Sequence, residues 1–246
     1  MRKLLKGVKR FQEEVFPERE GLFQELACGQ SPRILFITCA DSRIDPNLIT
    51  QAEPGELFIC RNAGNIVPPH MDTTGGMTAS IEYAVAALGV RHIVICGHSD
   101  CGAMKAALQP ESLVDFPHVK DWLGHTSSAV RVLKEKYPGK SNSQLLDPLI
   151  QENVLQQMMH IRTHPYVAAK LATNKIKLHG WVYDIKTGSV FAHNPANGIF
   201  EDVRVDLPDE IASRLAHDHS HDHSHDGGHD TVDPAMPQGS HTFAAE

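Results

Sequence analysis

No apolar run in the sequence approaches the roughly 18 to 20 residues that a membrane-crossing helix needs. The start, MRKLLKGVKRFQEE, is basic and amphipathic. It lacks the continuous apolar stretch and small-residue cleavage site of a secretory signal. These absences lead us to expect an intracellular, soluble protein. Lysine and arginine are missing from Ala216 onward, where five aspartates and one glutamate stand, so nearly all of the net charge of −7 lies in that tail. Nothing here suggests a nucleic-acid footprint, which needs a basic face. Cysteines number five, so complete internal pairing is impossible. In a reducing compartment such thiols serve metal binding or packing. Cys28, Cys60 and Cys96 read as structural; the latter two lie in β-like runs, where a free cysteine behaves as a small hydrophobe.

The 246 residues present are enough for one sizeable domain with a core. Residues 1–29 read as two amphipathic helices separated by Pro17. Leu4, Leu5, Val8 and Phe11 recur at helical spacing, as do Leu22, Phe23 and Leu26, and Gly29 is a C-terminal stop. Three almost continuously apolar runs follow at 34–38, 56–60 and 92–96, as expected of parallel strands covered on both faces. Between the second and third, 78–88 patterns as an amphipathic helix ended by Gly89. Strand, helix, strand in that order implies a mainly parallel sheet flanked by helices, an α/β fold. Residues 112–175 read as mainly helical. The segment 176–193 reads as a terminal hairpin turning through Lys186-Thr187-Gly188-Ser189.

Two short motifs carry the chemistry. Cys39-Ala40-Asp41-Ser42-Arg43 and His98-Ser99-Asp100-Cys101-Gly102 each end an apolar run. Together they offer two thiolates and one imidazole, a donor set that suits zinc. Three protein ligands leave a fourth position open for water, the mark of a catalytic rather than structural site. Both motifs fall at the carboxyl ends of expected strands, where open parallel sheets place their ligand sites. Arg43 can pair with Asp41 and hold it off the metal, leaving Asp41 free to accept a hydrogen bond from the nucleophile. Taken singly, the two spacings are weak patterns. A structural zinc, or no metal with Cys39 and Cys101 as buried thiols, competes with the catalytic reading.

CADSR followed by HSDCGAMKA resembles the paired metal motifs of the β-class carbonic anhydrases. The intervening PGELFICRNAGN and ASIEYAVAALGV resemble that family too, and the likeness covers roughly residues 1–205. The resemblance implies the β-class fold with an N-terminal helical arm at 1–30, a zinc-binding catalytic domain at 31–206, and a separate tail at 207–246. It implies a zinc lyase with one Zn2+ per subunit, hydrating carbon dioxide reversibly to bicarbonate and a proton through zinc-bound hydroxide. Cys39, His98 and Cys101 match the zinc ligands, and Asp41 and Arg43 the catalytic dyad. Gln30, Phe58 and Tyr83 match substrate-pocket positions supplied partly by a neighbouring subunit, so a homodimer or higher even-numbered oligomer is expected. Phe36 and Thr38 stand where a bicarbonate-regulated branch has other residues, so we expect Asp41 to stay off the zinc. Gly64 and Asn65 are expected to form a tight turn near the site. The resemblance points to the cytoplasm, with the carboxysome and its components as the alternative location and partners. Hydrolysis of carbon disulfide or carbonyl sulfide, and a zinc-binding scaffold role, are the competing functions.

The tail alternates histidine with aspartate at His217, His219, His221, His223, His225 and His229. It reads as a low-complexity segment. Zinc gathering, proton buffering and partner anchoring compete there with a plain solvated tail.

Overall fold

The computed structural model describes residues 1–71 and 75–203. The expectations for the tail, including its histidines, lie outside the described residues. Six strands form one sheet in the order β2-β1-β3-β4-β5-β6. They are β1 (Ile34–Cys39), β2 (Leu57–Asn62), β3 (His92–His98), β4 (Lys177–Tyr183), β5 (Val190–Asn194) and β6 (Ile199–Asp202). The first four run parallel, and β5 and β6 add an antiparallel edge. The expected hairpin is β4–β5, whose turn is held by Asp184 accepting from the Lys186 and Thr187 amides, both at 2.8 Å. β6 was not foreseen. It follows a turn in which Asn194 and Asn197 side chains accept from the Ala196 and Ile199 amides.

The helices are α1 (Arg2–Arg10), α2 (Glu20–Cys28), α3 (Pro46–Thr50), α4 (Gly76–Glu82), α5 (Gly102–Leu108), α6 (Pro117–Leu123), α7 (Ser127–Lys136), α8 (Asn142–Ile161) and α9 (Pro165–Ala172). α1 runs on through a wide turn at Phe11–Val15 and a short helical turn at Phe16–Glu18, so the first helical path passes Pro17 and breaks at Arg19. A proline near the start of a turn needs no amide donor, which is why it interrupts nothing there. The expected helix at 78–88 is α4 continued by a wide turn at Tyr83–Ala87.

One face of the sheet packs Leu35, Ile37, Ile93 and Ile95 against α8 residues Leu149, Ile150 and Val154. Glycine permits that approach: a Cβ at Gly97 would meet Val154 Cγ2 at 3.0 Å and Ile150 Cγ2 at 3.2 Å. On the other face Phe36, Val94 and Cys96 pack with Trp181 and Tyr183. Cys60 and Cys96 are buried as expected, but Cys28 is exposed at the end of α2, where no core lies to receive it. No residue of α1 is buried; Leu4 and Leu5 are 67% and 62% exposed. Among the described residues no helix is long and apolar enough to cross a membrane.

Candidate metal centre

Cys39 is the last residue of β1 and His98 the last of β3, and these two strands pair directly. Cys101 follows His98 across a sharp turn that puts Asp100 in the left-handed region at φ 58°. Sequence placed Cys39 and His98 just past their strands; the structure makes them the closing residues. Both strands end at one level, so the sulfurs of Cys39 and Cys101 and a ring nitrogen of His98 lie within 4.8 Å of one another, all buried. The His98 Nδ1 lies 2.9 Å from the Ser99 carbonyl oxygen. A proton on Nδ1 satisfies that carbonyl and leaves Nε2 as a bare acceptor. Nε2 is buried without a hydrogen-bond partner. A buried polar atom of this kind is costly unless something is bound to it. The donor set and this orphan nitrogen both fit a zinc ion.

Cys39 is drawn toward its thiolate form, first by a hydrogen bond from the Cys101 thiol, with the Gly64 and Asp41 amides adding to it against the cost of burial. Cys101 is pushed the other way, first because its thiol is held by the hydrogen bond it donates to Cys39, then by burial and by the repulsion of a second thiolate.

Beside the cluster, Arg43 grips Asp41 with both arms: Nε donates to Oδ1 at 2.9 Å and Nη2 to Oδ2 at 2.8 Å, while its amide also donates to Oδ1 at 3.0 Å. These bonds hold Asp41 well below the usual carboxylate range, the Arg43 side chain being the largest cause. Asp41 Oδ2 stands 3.9 Å from His98 Nε2, at the edge of the cluster. The dyad is itself braced. Arg43 Nη1 donates to Asp100 Oδ2 at 3.0 Å, and Lys105 pairs with the other oxygen of Asp100. Arg61 reaches from β2 to donate to the Cys39 carbonyl at 3.2 Å and the Asp41 carbonyl at 2.8 Å. Arg61, Asp100 and Lys105 had no assigned role in the sequence reading. Asp100 sits inside the motif, so its carboxylate beside a ligand cysteine was the available signal; the reach of Arg61 had none.

The remaining expected site residues gather elsewhere. Phe58 and Tyr83 pack on each other with ring centroids 6.0 Å apart. In register, however, Phe58 lies beside Leu35, four residues before Cys39, which is roughly 13 Å along the strand. Gln30 is exposed just ahead of β1, at the same amino end. Tyr83 is 50% exposed. Gly64 and Asn65 do form the tight turn, both with positive φ, and the Gly64 amide donates to Cys39 Sγ at 3.4 Å.

A parallel sheet closing on a Cys-His-Cys cluster with an adjoining Asp–Arg pair defines a metal-site α/β enzyme. The sequence model of the carbonic anhydrase family matches residues 34–190. Carbonic anhydrase from Synechococcus elongatus is 48% identical over 191 residues, covering 77% of this chain and 70% of its own. Carbonic anhydrase from Pseudomonas aeruginosa is 48% identical over 200 residues, 81% of this chain and 90% of its own. The solved beta-carbonic anhydrase CcaA matches with TM-score 0.80 and 43% identity, covering 82% of this chain and 98% of that one. A tetrameric beta-carbonic anhydrase from Sordaria macrospora matches at TM-score 0.68 and 30% identity, over 78% and 95% of the two chains. The chain belongs to the β-class carbonic anhydrases.

Proposed function

We propose that the protein is a zinc-dependent carbonic anhydrase interconverting carbon dioxide with bicarbonate and a proton. The observation that carries this reading is the buried Cys39–His98–Cys101 cluster with the unpartnered His98 Nε2 facing it. These three residues would hold one Zn2+ per subunit. The metal's chemistry is to acidify a water molecule toward neutrality.

The chain's own residues do the rest. Asp41, fixed by Arg43 and kept ionised, accepts a hydrogen bond at Oδ2 and so aims the nucleophile's lone pair at the substrate carbon. Because both carboxylate oxygens are engaged by Arg43, Asp41 is restrained from taking the metal's open position. Phe58 supplies an apolar wall for a nonpolar gas, and Gln30 and Tyr83 offer hydrogen bonds to substrate oxygens. Since Phe58 lies near the amino end of β2, with Tyr83 packed on it and Gln30 just ahead of β1, these three residues serve a site on a second copy, in a homodimer or larger even-numbered assembly. The exposed apolar stripe of α1, with Leu4, Leu5 and Val8, supports that arrangement. A cytoplasmic location rests on the family resemblance.

Stopped-flow measurement of carbon dioxide hydration, with metal content measured on the same samples, tests this. The native protein is expected to hold one zinc per chain and to hydrate; Cys39→Ser is expected to lose both. Equal hydration rates in the two proteins would end the zinc reading.

A further inference from the structure

The segment from Ala63 to His70 carries no regular structure, yet several of its backbone polar groups are held by side chains of residues between Trp122 and His164. Trp122 on α6 donates Nε1–H to the Ala63 carbonyl at 2.9 Å. Asn153 on α8 donates Nδ2–H to the Gly64 carbonyl at 3.0 Å. One turn on, Gln157 Oε1 accepts from the Val67 amide at 2.9 Å, and its Nε2 donates to Asn153 Oδ1 at 2.9 Å. His160 Nδ1 lies 2.8 Å from the Val67 carbonyl, and Thr163 Oγ1 accepts from the His70 amide at 2.7 Å. Asn153 and Gln157, at 1% and 0% exposure, fix one another's amide orientation. Buried amides this fully engaged make a rigid template.

The target of that template is a single peptide. The Ala63 carbonyl and the Gly64 amide belong to one planar trans unit, so they point in opposite directions. Trp122 takes the oxygen; the N–H on the other side meets Cys39 Sγ at 3.4 Å. Asn153 then pins the following peptide by its oxygen, closing off rotation of Gly64. Gly64 itself has no spare room: a Cβ there would meet Met104 Cε at 3.0 Å and Ala103 Cβ at 3.1 Å, at a φ of +81°.

We propose that Trp122 and Asn153 are positioning residues for the metal centre, aiming the Gly64 N–H at Cys39 Sγ so that it draws charge off this ligand. The inference rests on the zinc reading above. A site with two thiolates gives its metal more negative charge than an all-imidazole site and weakens it as a Lewis acid. A hydrogen bond to one sulfur offsets that, and second-shell contacts of this kind tune metal sites generally. The two residues come from different helices, which makes them separately testable.

The experiment uses full-length protein with cobalt(II) replacing zinc, reading the thiolate-to-cobalt charge-transfer bands and competing for zinc with a chelator. Trp122→Phe keeps an aromatic ring and removes the donor with the rest of the indole; Asn153→Asp keeps the side chain's shape, removes the other donor and adds a charge. Each is expected to shift the bands to lower energy, because an unbridled thiolate gives up an electron more readily, and to weaken zinc binding about tenfold. Thr163→Val is the control: it loosens the same segment at His70, away from Gly64, and is expected to leave the bands in place. If Asn153→Asp does not fold, Trp122→Phe against Thr163→Val decides the question alone. Unchanged bands in Trp122→Phe, or an equal shift in Thr163→Val, would overturn the proposal. A wild-type cobalt protein with no thiolate band would instead sink the zinc reading.

Discussion

The two ends of the parallel strands are built differently. At the carboxyl end, Cys39, His98 and Cys101 are almost fully buried, and Asp41 is gripped by Arg43, which Asp100 and Lys105 brace in turn. At the amino end, Gln30 and Tyr83 are exposed and Phe58 only partly covered. One end is finished within a single chain; the other presents aromatic and amide groups with nothing yet to act on. If both sets serve one reaction, as proposed above, the amino end of one chain must face the carboxyl end of another.

The largest test of the finished end is Asp41→Asn. It keeps the shape of the side chain and removes its charge, so the Arg43 fork loses one of the two oxygens it grips on residue 41. We expect hydration to fall about a hundredfold while zinc stays bound, since the ligands are untouched. Loss of zinc in that variant would mean that Asp41 acts on the metal site rather than on the reaction.

The unfinished end is tested by mixing. Phe58→Arg places a charge in the proposed apolar wall, and Cys39→Ser removes a ligand; each homodimer is expected to be nearly inactive. If Phe58 serves the other chain, a mixed dimer contains one site with both defects and one with neither. Co-refolding equal amounts should then restore about a quarter of native activity, since half of the dimers are mixed and each has one intact site. If Phe58 serves its own chain, every site carries a defect and mixing restores nothing. The comparison between the two ends would then lose its meaning.

The finished end was the more legible in sequence. Ligand chemistry is written in residue type, and an apolar run ending in cysteine or histidine places that residue at a strand end. Hence Cys39, His98, Cys101, Asp41 and Arg43 could all be named from two short motifs. What holds them was hidden, because it comes from far along the chain: Arg61 from β2 and Asn153 from α8 act on backbone groups, and a backbone group has no letter. Phe58 and Tyr83 were nameable only by resemblance. Strand register places Phe58 at the opposite end and Tyr83 packs on it there, and hydrophobic pattern specifies neither. Pro17 misled for a related reason: a proline marks a helix break by default, but the wide turn before it removes the need for its missing donor.

The smallest expected effect concerns stability at the amino side of the sheet. His92 and His179 stand on the neighbouring strands β3 and β4, with His92 Nδ1 3.1 Å from His179 Nε2. Burial lowers the pKa of His179 to about 4, with His92 and Lys177 adding to it. An unfolded histidine titrates near 6.5. The unfolded state therefore takes up a proton that the folded state refuses, so this group's contribution is fully present above pH 6.5 and drains away as pH falls toward 4. The loss is at most about 3 kcal/mol, less to the extent that solvent reaches the ring. Denaturant midpoints measured from pH 7 to pH 4 should fall in the native protein and fall less steeply in His179→Gln. Cys39, His98 and Cys101 at the far end are unchanged in that variant, so metal content at pH 7 should match the native protein. Parallel pH slopes in the two proteins would show that the histidine pair is not what the fold loses on acidification.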